Sequence, residues 1–298
     1  MQLNFSKYEG IGNDFIIISN LDGSISLSKE QIGKLCHRNF GIGADGLILA
    51  RPSEVADFFM DFYNSDGSVA EMCGNGIRCF AKYIADEGLS NKSTLNIETR
   101  AGVKTVDLLI DGGKVVGARV DMGEPVLDTQ KIPVKYEANQ LINQPISIDG
   151  PSQIDGALKV GGASSSSFYA TCVSMGNPHC VIFVDDIRTA PVQSLGPKIE
   201  TSSYFPQKTN VEFVHVVASD EIELRVWERG CGETLACGTG ACASLVAAVL
   251  NGKTERSATV HLPGGNLRIS WDKKTNHVFL EGPAAKVFSG TIEIDRGF

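Results

Sequence analysis

The sequence predicts an α+β fold of two similar halves in which strands outnumber helices. Three observations predict it. A segment recurs far along the chain, short apolar stretches alternate with glycine-bearing turns, and two helical stretches each follow a Cys-Gly-x-Gly loop.

The recurring segment is Cys73-Gly-Asn-Gly-Ile-Arg-Cys79, which returns as Cys237-Gly-Thr-Gly-Ala-Cys242, an offset of 237 − 73 = 164. At that offset Gly12-Asn13-Asp14 falls on Gly176-Asn177-Pro178, and Ile16-Ile17-Ile18 on Cys180-Val181-Ile182. Tyr63-Asn64-Ser65-Asp66-Gly67 likewise falls on Trp227-Glu228-Arg229-Gly230-Cys231. Further on, Arg100-Ala101-Gly102 meets Pro263-Gly264-Gly265 at an offset of 163, one residue short. One offset held across so many segments marks a duplication.

Each half then reads in the same order. A strand (3–8; 168–173) leads into a Gly-Asn loop and a second apolar strand. A short aromatic strand (58–63; 222–227) precedes a turn and the Cys-Gly-x-Gly loop, which opens a helix. Strands joined by tight turns follow, such as that at Asp111-Gly112-Gly113-Lys114. In the first helix Ile77, Phe80, Ala81 and Ile84 recur at i, i+3, i+4 and i+7 and mark one apolar face. The second, 241–250, is apolar almost all round, so it must be buried on all sides, as it would be inside a curled sheet. Between the halves, 136–167 has no counterpart in the first half. It is polar, carries the run Ser164-Ser165-Ser166-Ser167, and reads as a surface excursion without a catalytic part.

The 298 residues suffice for two domains with separate cores, and 42% apolar with 21% charged residues is ordinary for a globular protein. A formal charge of −8 argues against nucleic-acid and anionic-membrane partners, which bind basic surfaces. No apolar run approaches the roughly 20 residues of a membrane span. The first twenty residues lack the charged and apolar regions of a secretory signal, so a cytoplasmic address is expected. In that reducing setting the eight cysteines, at 36, 73, 79, 172, 180, 231, 237 and 242, are read as free thiols rather than a disulfide framework. No Cys-x-x-Cys occurs and the five histidines are scattered, so no metal site is expected.

A cysteine at the mouth of a helix meets a partial positive charge that lowers thiol pKa. The two following glycines admit a ligand close to the backbone, and the unpaired N–H groups of the first turn make a seat for a carboxylate. Buried cysteines are common, and one Cys-Gly alone reads as packing. Two at equivalent positions read as chemistry. Cys73 and Cys237, one from each half, are an acid–base pair for opposite faces of one Cα, the arrangement stereoinversion requires. The other six cysteines read as structural.

Asn64 and Glu228 each precede their cysteine by nine residues, Asn13 and Asn177 each by sixty, and Asn210 is equivalent to Gly46. Asparagine serves an ammonium and a carboxylate alike, and Arg229 offers a fork for a carboxylate. Each asparagine alone is equally a turn residue. His179, after the Gly-Asn-Pro loop, is either structural or a tuner of thiol pKa.

Gly12-Asn13-Asp14-Phe15, Cys73-Gly-Asn-Gly-Ile-Arg-Cys79, Met175-Gly-Asn-Pro-His-Cys180, Trp227-Glu-Arg-Gly230 and Glu233-Thr-Leu-Ala-Cys-Gly-Thr-Gly240 resemble the signature blocks of the diaminopimelate epimerase family, in its order and over nearly the whole chain. The resemblance implies two pseudo-symmetric domains, each a mixed β-barrel-like sheet wrapped round a central helix. The last strand, about 284–294, would return to the first domain, giving residues 1–120 with 284–298 and residues 121–283. It implies epimerisation of LL-2,6-diaminopimelate to the meso isomer in lysine biosynthesis, without pyridoxal phosphate, another cofactor or a metal, by a cytoplasmic homodimer. Cys237 would accept and Cys73 donate the proton in the LL-to-meso direction. Asn13, Asn64, Asn177, Asn210, Glu228, Arg229, Gly74, Asn75, Gly238 and Thr239 match substrate-binding positions, and His179 and Glu228 match residues that adjust the thiols. Some members carry glutamine where this chain has Gly46, so a contact to the far end of the substrate would be missing or replaced.

Two rival readings remain. Proline and hydroxyproline racemases are similar in fold and cysteine pair, but tend to carry histidine at the position of Asn75 and need nothing for a distal amino-carboxylate group. A binding protein without turnover would need neither cysteine.

Overall fold

A computed structural model describes residues 2–148 and 167–294. In chain order its first elements are β1 (Gln2–Gly10), β2 (Asn13–Ser19), α1 (Lys29–Cys36), β3 (Gly46–Arg51), β4 (Phe58–Asn64), α2 (Gly74–Asp86), β5 (Thr94–Thr99), β6 (Gly102–Asp111) and β7 (Lys114–Gly123). Next come β8 (Gln144–Ser147), β9 (Ser167–Ser174), β10 (Pro178–Phe183), α3 (Val192–Glu200), β11 (Asn210–Ala218), β12 (Glu221–Glu228) and β13 (Gly232–Thr234). The chain closes with α4 (Gly238–Leu250), β14 (Ser257–Leu262), β15 (Gly265–Trp271), β16 (Val278–Pro283) and β17 (Ala285–Glu293). Two compact units result, Met1–Asp121 with Glu281–Phe298, and Met122–Leu280.

The duplication is visible in the strand pairing of each unit. In the first, β1–β2 is antiparallel, β2–β3 parallel, β3–β4 antiparallel, β4–β5 parallel and β5–β6 antiparallel. In the second, β9–β10, β10–β11, β11–β12, β12–β14 and β14–β15 follow the same alternation. Register agrees as well: Phe15 lies opposite Gly46 as His179 lies opposite Asn210, and Leu47 opposite Tyr63 as Val211 opposite Trp227. The first unit adds β17, antiparallel to β1.

Each mixed sheet wraps its own helix. α2 packs on β1, β2, β3, β6 and β17, and α4 on β9, β10, β11, β12, β14 and β15. Ile77, Phe80, Ala81 and Ile84 are all fully buried. In α4 the small side chains of Ala241, Ala243, Ala247 and Ala248 are fully buried and let strands approach on every side. A space filled so closely has no room for added volume. Ala247→Val is therefore expected to cost about 1–3 kcal/mol through overpacking, read as a lowered urea midpoint at unchanged slope.

The excursion 136–167 differs from its reading as surface in the part described. Gln144–Ser147 pairs antiparallel with β9 as an extra edge strand, and Leu141 and Ile146 are buried in the second unit's core. Two apolar side chains among polar ones are enough to anchor it, because alternate residues of a strand share a face. Residues 149–166, including most of the serine run, lie outside those described. Helices α1 and α3 extend the repeat: α1 shifted by the same 164 residues falls on 193–200, inside α3, and each connects its unit's parallel pair, β2–β3 or β10–β11. α1 begins at Ser28 with a full capping box to Gln31.

Candidate active site

Both cysteines sit at the same structural point. Cys73 is the N-cap of α2 and Cys237 of α4, each in extended conformation, each sulfur accepting from the N–H three residues on, Gly76 and Gly240, at 3.4 Å. The sulfur thus takes the place of the usual hydroxyl or carboxylate cap. None of the eight cysteines is in a disulfide. Cys36, Cys79, Cys172, Cys180 and Cys242 are buried, as packing residues should be, whereas Cys231 is exposed on the turn after β12.

In the first unit Asn13 opens β2 and is gripped from behind. Its Nδ2 donates to Asp45 Oδ2 at 2.7 Å, and Arg38 pairs with both Asp45 and Asp14. Burial pushes the Asp14 carboxyl up, but Arg38 and Lys7 outweigh it and hold the group at about 2. With its nitrogen engaged, Asn13 turns Oδ1 to the helix mouth, where Cys73 Sγ donates at 3.6 Å and Asn75 Nδ2 at 3.4 Å. Asn75 is buried beside Gly74 in the first turn, and its own Oδ1 has no hydrogen-bond partner among the described residues. Asn64, at the end of β4, instead bonds Ser68 through both its backbone and its side chain. At Gly46 a Cβ would stand 2.6 Å from Phe62 Cε2 and 2.7 Å from Tyr63 O. A glutamine there requires Phe62 to move, so no side chain from this position reaches a substrate.

In the second unit Thr239 Oγ1 lies 3.5 Å from Cys237 Sγ, in the first turn with Gly238. Glu228, at the end of β12, accepts a hydrogen bond from Thr234 Oγ1, and its charge acts on the Cys237 thiol. Burial nevertheless raises the Glu228 carboxyl above its ordinary value. Asn210 opens β11, its Nδ2 donating to Pro178 O at 2.8 Å and its Oδ1 accepting from Arg229 N at 2.9 Å, which fixes the turn carrying Glu228 and Arg229. The Arg229 guanidinium reaches Gln207 O at 3.4 Å. Glu200 supports the same turn through Trp227 Nε1 and Gly230 N. His179, on β10, bonds Glu212 Oε1 at 2.7 Å and Asn177 Oδ1 at 2.9 Å, with both ring and carboxylate fully buried.

The helix mouth does not lower the Cys237 thiol as its position suggests. Burial, then the carboxylates of Glu228 and Glu212, push it well above the usual thiol range against the smaller pull of Thr239 and the Gly240 N–H. Desolvation disfavours the thiolate more than half a unit of helix charge favours it. The resting Cys237 is a neutral thiol.

The repeat singles out neither Glu212 nor Asp45. The signal for Glu212 is a carboxylate within Asn210-Val-Glu-Phe-Val, an otherwise apolar buried strand where a charge must have a partner. It lies two residues beyond Asn210, hence on the same face.

Among the described residues no helix is long and apolar enough to cross a membrane. The sequence model of the diaminopimelate epimerase family matches residues 5–127 and 171–287. A diaminopimelate epimerase of Acetivibrio thermocellus is 47% identical over 99% of this chain and 100% of its own length. One of Desulfitobacterium hafniense is 50% identical over 96% of each, and one of Methanococcus maripaludis 46% identical over 98% of this chain and 100% of its own. Among solved structures, a PhzF-family phenazine biosynthesis protein of Bacillus anthracis superposes at TM-score 0.68 with 16% identity, over 99% of this chain and 100% of that one. A hydroxyproline epimerase of Agrobacterium vitis superposes at 0.66 with 12% identity, over 100% and 92%. These two share the α+β fold, and the far higher identities separate this chain from the proline racemases. By its sequence, the chain belongs to the diaminopimelate epimerase family, a family of isomerases.

Proposed function

We propose that this chain interconverts the LL and meso isomers of 2,6-diaminopimelate in lysine biosynthesis, with Cys73 and Cys237 as its acid–base pair. The observation that carries the assignment of residues is the equivalence of the two cysteines: each caps its unit's buried helix, each faces two N-terminal glycines of the type that seat a carboxylate, and each stands among asparagine, threonine or glutamate side chains.

In the LL-to-meso direction the Cys237 thiolate takes the proton from Cα and the Cys73 thiol delivers one to the opposite face. The first sulfur ends protonated and the second as thiolate, so the net change is inversion. Because Cys237 rests as a thiol, it must lose a proton before it can act, and Glu228, whose charge acts on that thiol, is the carboxylate at hand. His179 belongs to the same cluster. Asn13, Asn64, Asn177, Asn210 and Arg229, with the backbones of Gly74-Asn75 and Gly238-Thr239, bind the two amino-carboxylate ends. On this reading the enzyme is a cytoplasmic homodimer that needs neither cofactor nor metal, in line with its family resemblance.

The test is purified protein with LL-diaminopimelate in D₂O and no added cofactor. The expected product is the meso isomer with one deuterium at the inverted carbon, since thiol protons exchange with solvent. No meso product, or product without label, overturns the two-thiol reading. Proline should not be racemised.

A further inference from the structure

The two units hold equivalent asparagines in opposite senses. Asn13 gives Nδ2 to Asp45 and keeps Oδ1 for the helix mouth, whereas Asn177 gives Oδ1 to His179 and turns Nδ2 away from the ring. The device that does this in the second unit has no counterpart in the first, where the positions equivalent to His179 and Glu212 are Phe15 and Ile48, both apolar.

An amide's orientation follows from its hydrogen-bond partners, so the proton inventory of the His179–Glu212 pair decides it. With one proton, on Nδ1, the pair would carry a full negative charge at zero exposure, and Nε2 would be a bare acceptor facing Asn177. An uncompensated buried charge of that kind is the costly state. The neighbouring Glu228 carboxylate, whose field is coupled to that of Glu212, raises the cost further. With two protons the pair is neutral as a whole. Whichever side of the 2.7 Å Nδ1–Oε1 bond the first occupies, the second sits on Nε2 and is donated to Asn177 Oδ1. The burial that raises the Glu212 carboxyl accords with a group that shares its charge with the ring. Space is set for this residue too: a Cβ on Gly240 would stand 2.9 Å from Glu212 Oε1 and 3.2 Å from Cys237 Sγ, so only glycine lets the carboxylate lie behind the helix mouth.

We propose that Glu212 is a positioning residue that keeps a proton on His179 Nε2, and that this proton fixes the Asn177 amide with Nδ2 presented as donor to a substrate carboxylate. The duplicated plan then offers an acceptor from Asn13 and a donor from Asn177, which an ammonium and a carboxylate respectively require. The carboxylate part rests on the diaminopimelate reading above. The proton part does not.

Nitrogen-15 NMR of histidine-labelled protein tests the proton directly, with the His179 signals among five histidines assigned by their loss in His179→Gln. In the wild type at neutral pH Nε2 should be protonated, and in Glu212→Gln it should be bare, because a neutral glutamine can take the Nδ1 proton without needing a second. Glu212→Gln should raise KM for LL-diaminopimelate about tenfold, the loss of one hydrogen bond to a charged group, with kcat much less affected. Glu212→Asp, which retains the carboxylate, should restore both the signal and KM. In an Asn177→Ala background Glu212→Gln should add little, since the effect passes through that amide. A bare Nε2 in the wild type, an unchanged KM in Glu212→Gln, or additive effects in the double variant overturns the proposal. The NMR needs no turnover, so a wild-type protein that epimerises no diaminopimelate overturns the functional reading alone, and a bare Nε2 overturns this inference alone.

Discussion

Cys237→Ser is expected to lower turnover of LL-diaminopimelate by about 10²–10⁴-fold, the range of a lost general acid or base, with the fold unchanged. Serine is the substitution to use because it caps a helix as well as cysteine does, so the bond from the Gly240 N–H and the first turn of α4 survive. What is lost is acidity, since a hydroxyl gives up its proton far less readily than a thiol. Cys73→Ser should match it in size but not in kind. With Cys237 intact the LL substrate should still exchange its Cα hydrogen for solvent deuterium, while meso product fails to form. Chiral chromatography with mass detection separates the two outcomes, and a Cys73→Ser enzyme of wild-type rate would exclude that thiol from the reaction. The pH dependence has a definite sign. Burial, Glu228 and Glu212 all hold Cys237 in its thiol form above the usual range, and the active form in this direction is the thiolate. kcat/KM should therefore rise with pH through neutrality and fall as pH drops. The same profile in the residual activity of Cys237→Ser would show that some other group is the base.

How far the sequence reveals this site depends on what kind of interaction each residue makes. The fold class and the wrapped helices are legible, because a 164-residue offset is a property of the string and an all-apolar helix has no surface option. The cysteines are legible for the same reason, as members of a repeat. Glu212, Asp45 and Thr234 are not, because they are where the halves differ. A search for equivalence finds Asn13 and Asn177 but passes over the Asp45 that grips one and the His179–Glu212 pair that grips the other. The thiol pKa is misread through the same limit: the helix charge is local in sequence, whereas the burial that overrides it comes from strands elsewhere in the chain. Duplication supplied the scaffold twice, and the substitutions since then set its polarity.

The largest expected loss of stability away from the cysteines is at Asp61, where Asp61→Ala should cost about 3–5 kcal/mol, the penalty for removing one partner of a buried ion pair. Its carboxylate, 1% exposed on β4, meets Arg51 Nη1 at 3.1 Å, the Arg100 guanidinium, and Tyr63 OH at 3.0 Å. Arg51 is 41% exposed and can return to water, so most of the loss falls on Arg100. That arginine also donates to Phe62 O and Ala70 O, tying β4 to the segment that delivers Cys73 to the helix mouth. The equivalent position in the second unit is Arg225, which pairs with Glu233 at 2.7 Å and donates to Ile187 O and Ala190 O. Both units thus brace this strand with an ion pair, of reversed sign. The effect should appear as a lower urea midpoint at unchanged slope. It should persist at about 1 M salt, where exposed pairs such as Arg188–Asp186 contribute nothing. Turnover should fall together with stability, because Asp61→Ala loosens the backbone that holds Cys73. Asp61→Asn separates charge from shape: a variant as stable as the wild type would show that the carboxylate's role is to fill space, and that Arg100 holds the loop without it.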